Sequence, residues 1–324
     1  MQTELKLTVY SPPNPIGMNR KSLLFLCLIA IPFPLCGFSW FGRSQEKPLD
    51  KLIKEYNQRG IVRDTRGNLY KIADRYGGKS IPVLRSSDGG KSWTSRGCVE
   101  TYLTYNVWGS ALTIDKDDNL YLSWSGDSVE AHRQEELQYR FKAIFFSSST
   151  DGGKRWKKQL IVNNKETAGM NPVIFVDSKK NIYLCWYGKP LQQMVYLTSS
   201  SDGGGSWRKI EDLRSGEDAC FSEDSDGTVY LTYAGGEKKN IIFISYTQDG
   251  GESWHTVTPG ELPVIVKDPY ATRFDNTIYL IFHAWIPSIL EAMPHAPEPT
   301  YQLYYLRSED GGERWSKLIK VKKR

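Results

Sequence analysis

From residue 58 onward, short runs rich in apolar, β-branched and aromatic side chains recur, each bounded on at least one side by a cluster of Asp, Asn and Gly. AIFFSSS at 143–149, NIYLCWY at 181–187, IIFISYT at 241–247 and TIYLIF at 277–282 are examples. Short apolar runs bounded by turn signals read as strands, and the Asp/Asn/Gly clusters are turn chemistry. No stretch of this region carries the apolar stripe of a crossover helix, so a parallel α/β sheet is not expected.

The runs recur in a fixed order. A segment built on Asp-Gly-Gly and closed by Trp occurs five times: RSSDGGKSW, SSTDGGKRW, SSSDGGGSW, YTQDGGESW and RSEDGGERW. Its tryptophans, Trp93, Trp156, Trp207, Trp254 and Trp315, are 63, 51, 47 and 61 residues apart. A second motif keeps step with it: RDTRGNLYKIA, IDKDDNLYLSW, VDSKKNIYLCW, EDSDGTVYLTY and RFDNTIYLIF. Each unit therefore reads as four antiparallel strands, and repetition at this period predicts a radial array. The expected fold is an all-β propeller over 58–324, with five four-stranded blades counted and six as the alternative. Residues 43–57 are expected as a linker with one or two helical turns.

The segment explains itself locally. Asp88, Asp151, Asp202, Asp249 and Asp310 can accept backbone N–H groups in a tight turn, and the glycines can take positive φ. The Trp five residues later supplies a large face for packing between sheets. The five pairs are therefore expected to be structural. The pattern Ser/Thr-x-Asp-x-Gly-x-x-Trp resembles the Asp-box, or bacterial neuraminidase repeat, of sialidase-like propellers. A sialidase would add three clustered arginines, a Tyr–Glu nucleophile pair and an Asp acid/base. The resemblance also implies an Arg-Ile-Pro start, where this chain has Arg59-Gly60-Ile61 and, separately, Ser80-Ile81-Pro82.

In a four-stranded meander the first and third turns share one end, so every Asp-box lies at the bottom. The longest connections, 126–137 and 283–300, then lie at the top, where a functional site is expected. The second holds Trp285, Ile286, Ile289, Leu290 and Met293. Aligned on Tyr70, Tyr121, Tyr183, Tyr230 and Tyr279, the units share Trp124, Trp186, Tyr233 and Phe282 three residues later, which reads as core. Asp64, Asp115, Asp177 and Asp224, six residues earlier, read as turn residues. Arg273 takes their place in the fifth unit and is discounted as an anion ligand.

Where the chain enters each inner strand from above, the units differ. Arg59, Trp108, Asn171, Glu217 with Asp218, and Lys267 with Asp268 stand there and, together with Trp285, form the expected ligand-binding set. For an enzyme, the catalytic candidates are Glu217, Asp218, Tyr270 and Arg59, with Arg96, Arg133 and Arg214 as further upper arginines and Glu100 as a further carboxylate. Adjacent strand residues point opposite ways, so Glu217 and Asp218 are not expected to form a catalytic pair.

Composition adds exclusions. The net charge of +5 is mild and its signs are interspersed, which argues against a nucleic-acid stripe. No His or Cys spacing matches a zinc site, and neither a metal nor a cofactor is expected. Beyond the N-terminal region the cysteines are Cys98, Cys185 and Cys220, too sparse for a disulfide framework. Residues 1–42 differ from the rest: Arg20-Lys21 precede the apolar run 22–41, which reads as a signal peptide or membrane anchor. The protein is therefore expected to be exported: secreted, periplasmic or membrane-anchored. Two functions follow. One is non-catalytic binding of a glycan, peptide or partner protein through the top loops. The other is a glycoside hydrolase with top-face carboxylates acting on sialosides or other glycans.

Overall fold

The computed structural model describes residues 48–57, 62–73, 80–101, 104–128, 142–164, 166–188, 194–285 and 300–322. The chain divides into residues 1–45, outside that set, and a unit of residues 46–324. The apolar run 22–41 and most of both long top connections also lie outside the described residues.

The strands form five antiparallel meanders. The first is β1 (Val62–Arg63), β2 (Leu69–Ile72), β3 (Ser80–Ser86) and β4 (Thr94–Glu100). The second is β5 (Thr104–Ile114), β6 (Leu120–Ser128), β7 (Lys142–Ser149) and β8 (Leu160–Ile161). The third runs β9 (Gly169–Val176), β10 (Ile182–Gly188), β11 (Met194–Ser200) into the start of β12 (Glu211–Glu223). The rest of β12 opens the fourth, with β13 (Val229–Gly235), β14 (Ile241–Thr247) and β15 (His255–Val257). The fifth is β16 (Ile265–Phe274), β17 (Thr277–Trp285), β18 (Gln302–Ser308) and β19 (Ile319–Lys320). The all-β, sialidase-like propeller expected from the repeats is what forms. Five four-stranded blades stand among the described residues. One continuous strand, β12, serves both the third and the fourth.

The core lies in layers between consecutive blades. Trp124, Trp186, Tyr233 and Phe282 are fully buried in these layers, as their common offset implies. The Asp-boxes are turns between third and fourth strands. In the first, Ser86 Oγ donates to Asp88 Oδ1 at 2.7 Å and accepts the Gly90 N–H at 2.8 Å. The Ser92 N–H donates to Asp88 Oδ1 at 3.0 Å, and Trp93 Nε1–H donates to the Gly90 carbonyl at 3.1 Å. The carboxylate bonds recur at Asp151, Asp202, Asp249 and Asp310. They hold all five carboxyls well below the usual range, Asp310 at about 2.

Each box after the first also packs on the blade before it. A Cβ on Gly204 would sit 2.2 Å from the Phe146 ring, and one on Gly312 would sit 2.8 Å from Val257 Cγ2. Arg96 Nε–H donates to the Gly152 carbonyl of the second box at 3.2 Å. That corrects its expected place: Arg96 enters β4 from the bottom turn and belongs to the box end, not the top.

The turn aspartates are buried hubs. Asp115 Oδ1 accepts the N–H groups of Asp117 and Asn119, each at 2.9 Å. Its Oδ2 accepts Asn119 Nδ2–H and the Tyr121 hydroxyl, also at 2.9 Å. Asp64, Asp177 and Asp224 bind Tyr70, Tyr183 and Tyr230 in the same way. Neighbouring turns are joined in series: Thr65 to Asp118, Lys180 to Asp117, Ser178 to Glu223, and Arg273 to Asp224 and Asp226.

Residues 48–57 form a ten-residue helix, α1 (Pro48–Asn57). Pro48 suits the first position, and Leu49, Leu52, Ile53 and Tyr56 make one apolar stripe. That stripe packs on Tyr270, Phe274, Tyr279, Ile281, Leu303 and Tyr305 of the fifth blade. This is the sheet face turned away from the fourth blade.

Candidate functional site

Four inner strands bend at one equivalent height near the top. The register slips between Trp108 and Ser110, Met170 and Val173, Glu217 and Cys220, and Lys267 and Tyr270. At each bulge one residue adopts positive φ: Gly109 at 67°, Asn171 at 52°, Asp218 at 55° and Asp268 at 51°. Asn and Asp tolerate the left-handed region better than other side chains, so their recurrence here has a backbone reason. The bulges also re-aim side chains at the channel mouth.

Adjacent bulges meet. A Cβ on Gly109 would sit 2.7 Å from Asn171 Oδ1, joining the second and third blades. The hydroxyl of the half-buried Tyr187 accepts the Ala219 N–H, joining the third and fourth. Asp218 accepts a backbone hydrogen bond from Asp268, joining the fourth and fifth. The expected residues Asn171, Glu217, Asp218, Lys267 and Asp268 therefore belong to a common rim.

The acidic part of that rim is electrostatically distinctive. Burial, then the charges of Asp268 and Glu217, push the half-buried Asp218 carboxyl above its ordinary value; the Asp268 hydrogen bond and Lys267 act against them. Glu217 is ion-paired with Lys239, on the short β13–β14 hairpin, and that pairing raises the lysine's proton affinity. Lys267 Nζ lies over the Tyr301 ring, 5.7 Å from its centre. Asp218 therefore meets Asp268 across two blades, and Glu217 adds its charge from the same strand.

Tyr270 does not join this group. It is buried against α1, where its hydroxyl donates to Glu55 Oε2 at 3.2 Å. Beside it Tyr56 and His283 share a 2.6 Å hydrogen bond. Arg214 lies on the part of β12 paired with β11, its guanidinium 5.5 Å from the centre of the Phe243 ring. Glu100 is exposed on β4, where Oε1 accepts from Cys98 Sγ at 3.3 Å. Trp285 is half-buried at the end of β17, opposite Ile265. Arg59 and Arg133 lie outside the described residues, as does the Trp108 side chain. Among the described residues no group of three or more His, Cys, Asp or Glu is placed to hold a metal ion. Cys98 is exposed and Cys185 buried, each a free thiol.

Sequence reasoning missed Lys239 and Tyr301. Lys239 sits in GGEKKN, a short hairpin at the top, and its pairing with Glu217 joins that hairpin to the bulged strand β12. Tyr301 lies just beyond the long 283–300 connection, outside the positions aligned between units.

Residues 44–258 match the family described as BNR repeat-like domain. No curated protein matches the chain in sequence. Among solved structures, a protein of unknown function from Dyadobacter fermentans DSM 18053 superposes with a TM-score of 0.53 at 15% identity, over 81% of this chain and 75% of its own. The GH93 α-L-arabinofuranosidase of Fusarium graminearum, solved with arabinobiose, gives 0.47 at 14% identity over 66% of each chain. The Hadza microbial sialidase Hz136 gives 0.44 at 13% identity, over 75% of this chain and 54% of its own. The first is a likeness of fold, and the other two are too distant to bear on activity.

Proposed function

The chain belongs to the BNR repeat-like domain family, and on that premise we propose that its propeller binds an uncharged glycan at the top rim, without catalysis. The observation that carries this reading is the acidic rim itself: Glu217, Asp218 and Asp268 gathered at one mouth with Lys239 and Lys267. Carboxylates accept hydrogen bonds from sugar hydroxyls, and a half-buried one gains more from each bond because water competes less. Tyr301 adds an aromatic face beside Lys267. Among the described residues the arginine cluster that a sugar carboxylate would need is not gathered at this rim: Arg96 lies at the opposite end and Arg214 packs on Phe243.

Calorimetric titration with neutral and sialylated oligosaccharides tests the reading. Binding of a neutral member, weakened at least tenfold by Asp218→Asn, is the expected result. Binding confined to sialylated members, or no binding, overturns it.

One observation favours a second reading, a glycoside hydrolase. Asp218 holds its proton more tightly than usual, a second carboxyl, Asp268, stands close by, and glycosidases work with two carboxyl groups. Release of reducing sugar from the bound oligosaccharide, abolished in Asp218→Asn, would replace the binding reading with this one. Both readings take the apolar run 22–41 as an export signal or anchor, with the propeller outside the cytoplasm. Recovery of the protein in the cytosolic fraction of its native cells would overturn that part.

A further inference from the structure

Seven non-glycine residues adopt positive φ among the described residues, and five of them are Asp or Asn. The other two are lysines, Lys180 at 71° and Lys239 at 52°. A long side chain gains nothing locally from the left-handed region, which glycine occupies without strain. Lys180 has a structural explanation. It occupies the position that Gly67 and Gly227 hold in other bottom turns, and it bridges to Asp117 of the neighbouring blade.

Lys239 has a different setting. It closes the β13–β14 hairpin, where its N–H donates to the Gly236 carbonyl at 3.0 Å and its carbonyl accepts the Val266 N–H at 2.8 Å. These backbone bonds fix the conformation whatever the side chain is. Glycine at 239 would keep both and lose the strain. What glycine would lose is the ammonium group, which is paired with Glu217 on the rim. The Glu217 side chain is 26% exposed and that of Lys239 52%, so the pair stands at the surface of the mouth. Exposed ion pairs contribute little to stability. Fold stability therefore does not explain a lysine here, whereas control of the rim's charge does.

We propose that Lys239 is a positioning residue for the ligand site. Resting on the glycan-binding reading, the inference is that Lys239 holds the Glu217 carboxylate in one orientation as a hydroxyl acceptor. It also offsets one of the three clustered negative charges. An uncharged, hydroxyl-rich sugar is the ligand class this arrangement fits, because each fixed acceptor then acts without the cost of reorienting on binding.

The experiment compares four full-length proteins: wild type, Lys239→Gly, Lys239→Arg and Lys180→Gly. Each is titrated with the same neutral and sialylated oligosaccharides, and its thermal midpoint is measured. Lys239→Gly is expected to bind the neutral sugar at least tenfold more weakly while its midpoint stays level or rises. Lys239→Arg is expected to recover most of the affinity, and Lys180→Gly to bind as wild type does. If wild type binds and Lys239→Gly binds equally well, this inference alone fails. A fall of several degrees in the Lys239→Gly midpoint, with affinity lost in proportion, also overturns it and makes the lysine structural. If wild type binds no neutral oligosaccharide, the glycan reading fails and this inference with it.

Discussion

At the residue scale, one aspartate per turn organises the lower half of a blade. Asp115 is 5% exposed and accepts four hydrogen bonds, so its removal strands the partners as well as the carboxylate. Tyr121→Phe is expected to cost about 1.5–3 kcal/mol, the contribution of a hydrogen bond to a charged group. Asp115→Ala is expected to cost more than Tyr121→Phe, measured by urea denaturation of each variant. Equal losses would mean that the tyrosine bond is the whole of the motif. The spacing of six between Asp and Tyr is visible in the sequence, and so is the turn. The bond between them is not, because it depends on how far the turn folds back over β6. Asp218 has the opposite electrostatic sign. Its pKa is raised in the folded protein, so its ionisation weakens the fold as pH rises above about 4, the unfolded value, through the folded one. Asp218→Asn, already expected to lose ligand, should therefore be more stable than wild type at pH 7, with the advantage vanishing near pH 3. A loss of stability at pH 7 would mean that the carboxylate is structural.

At the element scale, the Asp-box and α1 contrast in how they can be read. The box is legible in full because its ligands lie within eight residues of one another and its packing partner recurs at the blade period. Its aspartates have lowered pKa values, so their contribution is present above about pH 4 and drains as pH falls towards the folded values. Acid unfolding followed by circular dichroism is expected to steepen below pH 4. Asp202→Asn should make that limb shallower by removing one titrating group. An unchanged slope would show that the boxes do not set the acid limit. The helix is less legible: LDKLIKEY carries an amphipathic stripe, but a sequence does not say which sheet face receives it. The fifth blade's face of Tyr270, Ile281 and Leu303 is apolar, and Leu52, fully buried, is α1's deepest anchor there. Leu52→Ala is expected to cost about 2–4 kcal/mol. Faster hydrogen exchange should follow first in β16, β17 and β18; uniform acceleration across all five blades would show that α1 supports the whole ring.

At the scale of the whole molecule, the blades behave as neighbours in a series, and the links between them are where repetition breaks down. Four units carry the turn aspartate, and the fifth has Arg273 in its place. The exception has a geometric cause. Arg273 Nε lies 3.0 Å from Asp224 Oδ2, and Nη2 lies 2.6 Å from Asp226 Oδ2, so the fifth blade gives up its own hub to clamp the fourth. The rim follows the same rule. Its residues are legible as the positions that do not repeat, yet the pairing of Asp218 with Asp268 arises only once two bulges stand side by side. Arg273 also permits a test in which the repeat pattern and the interblade contact predict opposite results. Arg273→Asp restores the six-residue spacing to Tyr279, although here Tyr279 pairs with Thr272 and the hairpin turns over only two residues. If each blade is stabilised mainly by its own turn, that variant should gain stability. If the link dominates, it should lose more than Arg273→Ala, because a third carboxylate would face Asp224, whose side chain is 1% exposed and already deprived of its cation. The second outcome is expected, with Arg273→Asp below Arg273→Ala by about 1 kcal/mol or more in urea denaturation at low salt. The gap should narrow as salt screens the more exposed Asp226 and persist for the buried Asp224. Equal or greater stability of Arg273→Asp would show that the fifth blade's own turn, rather than its clamp on the fourth, holds this end of the array.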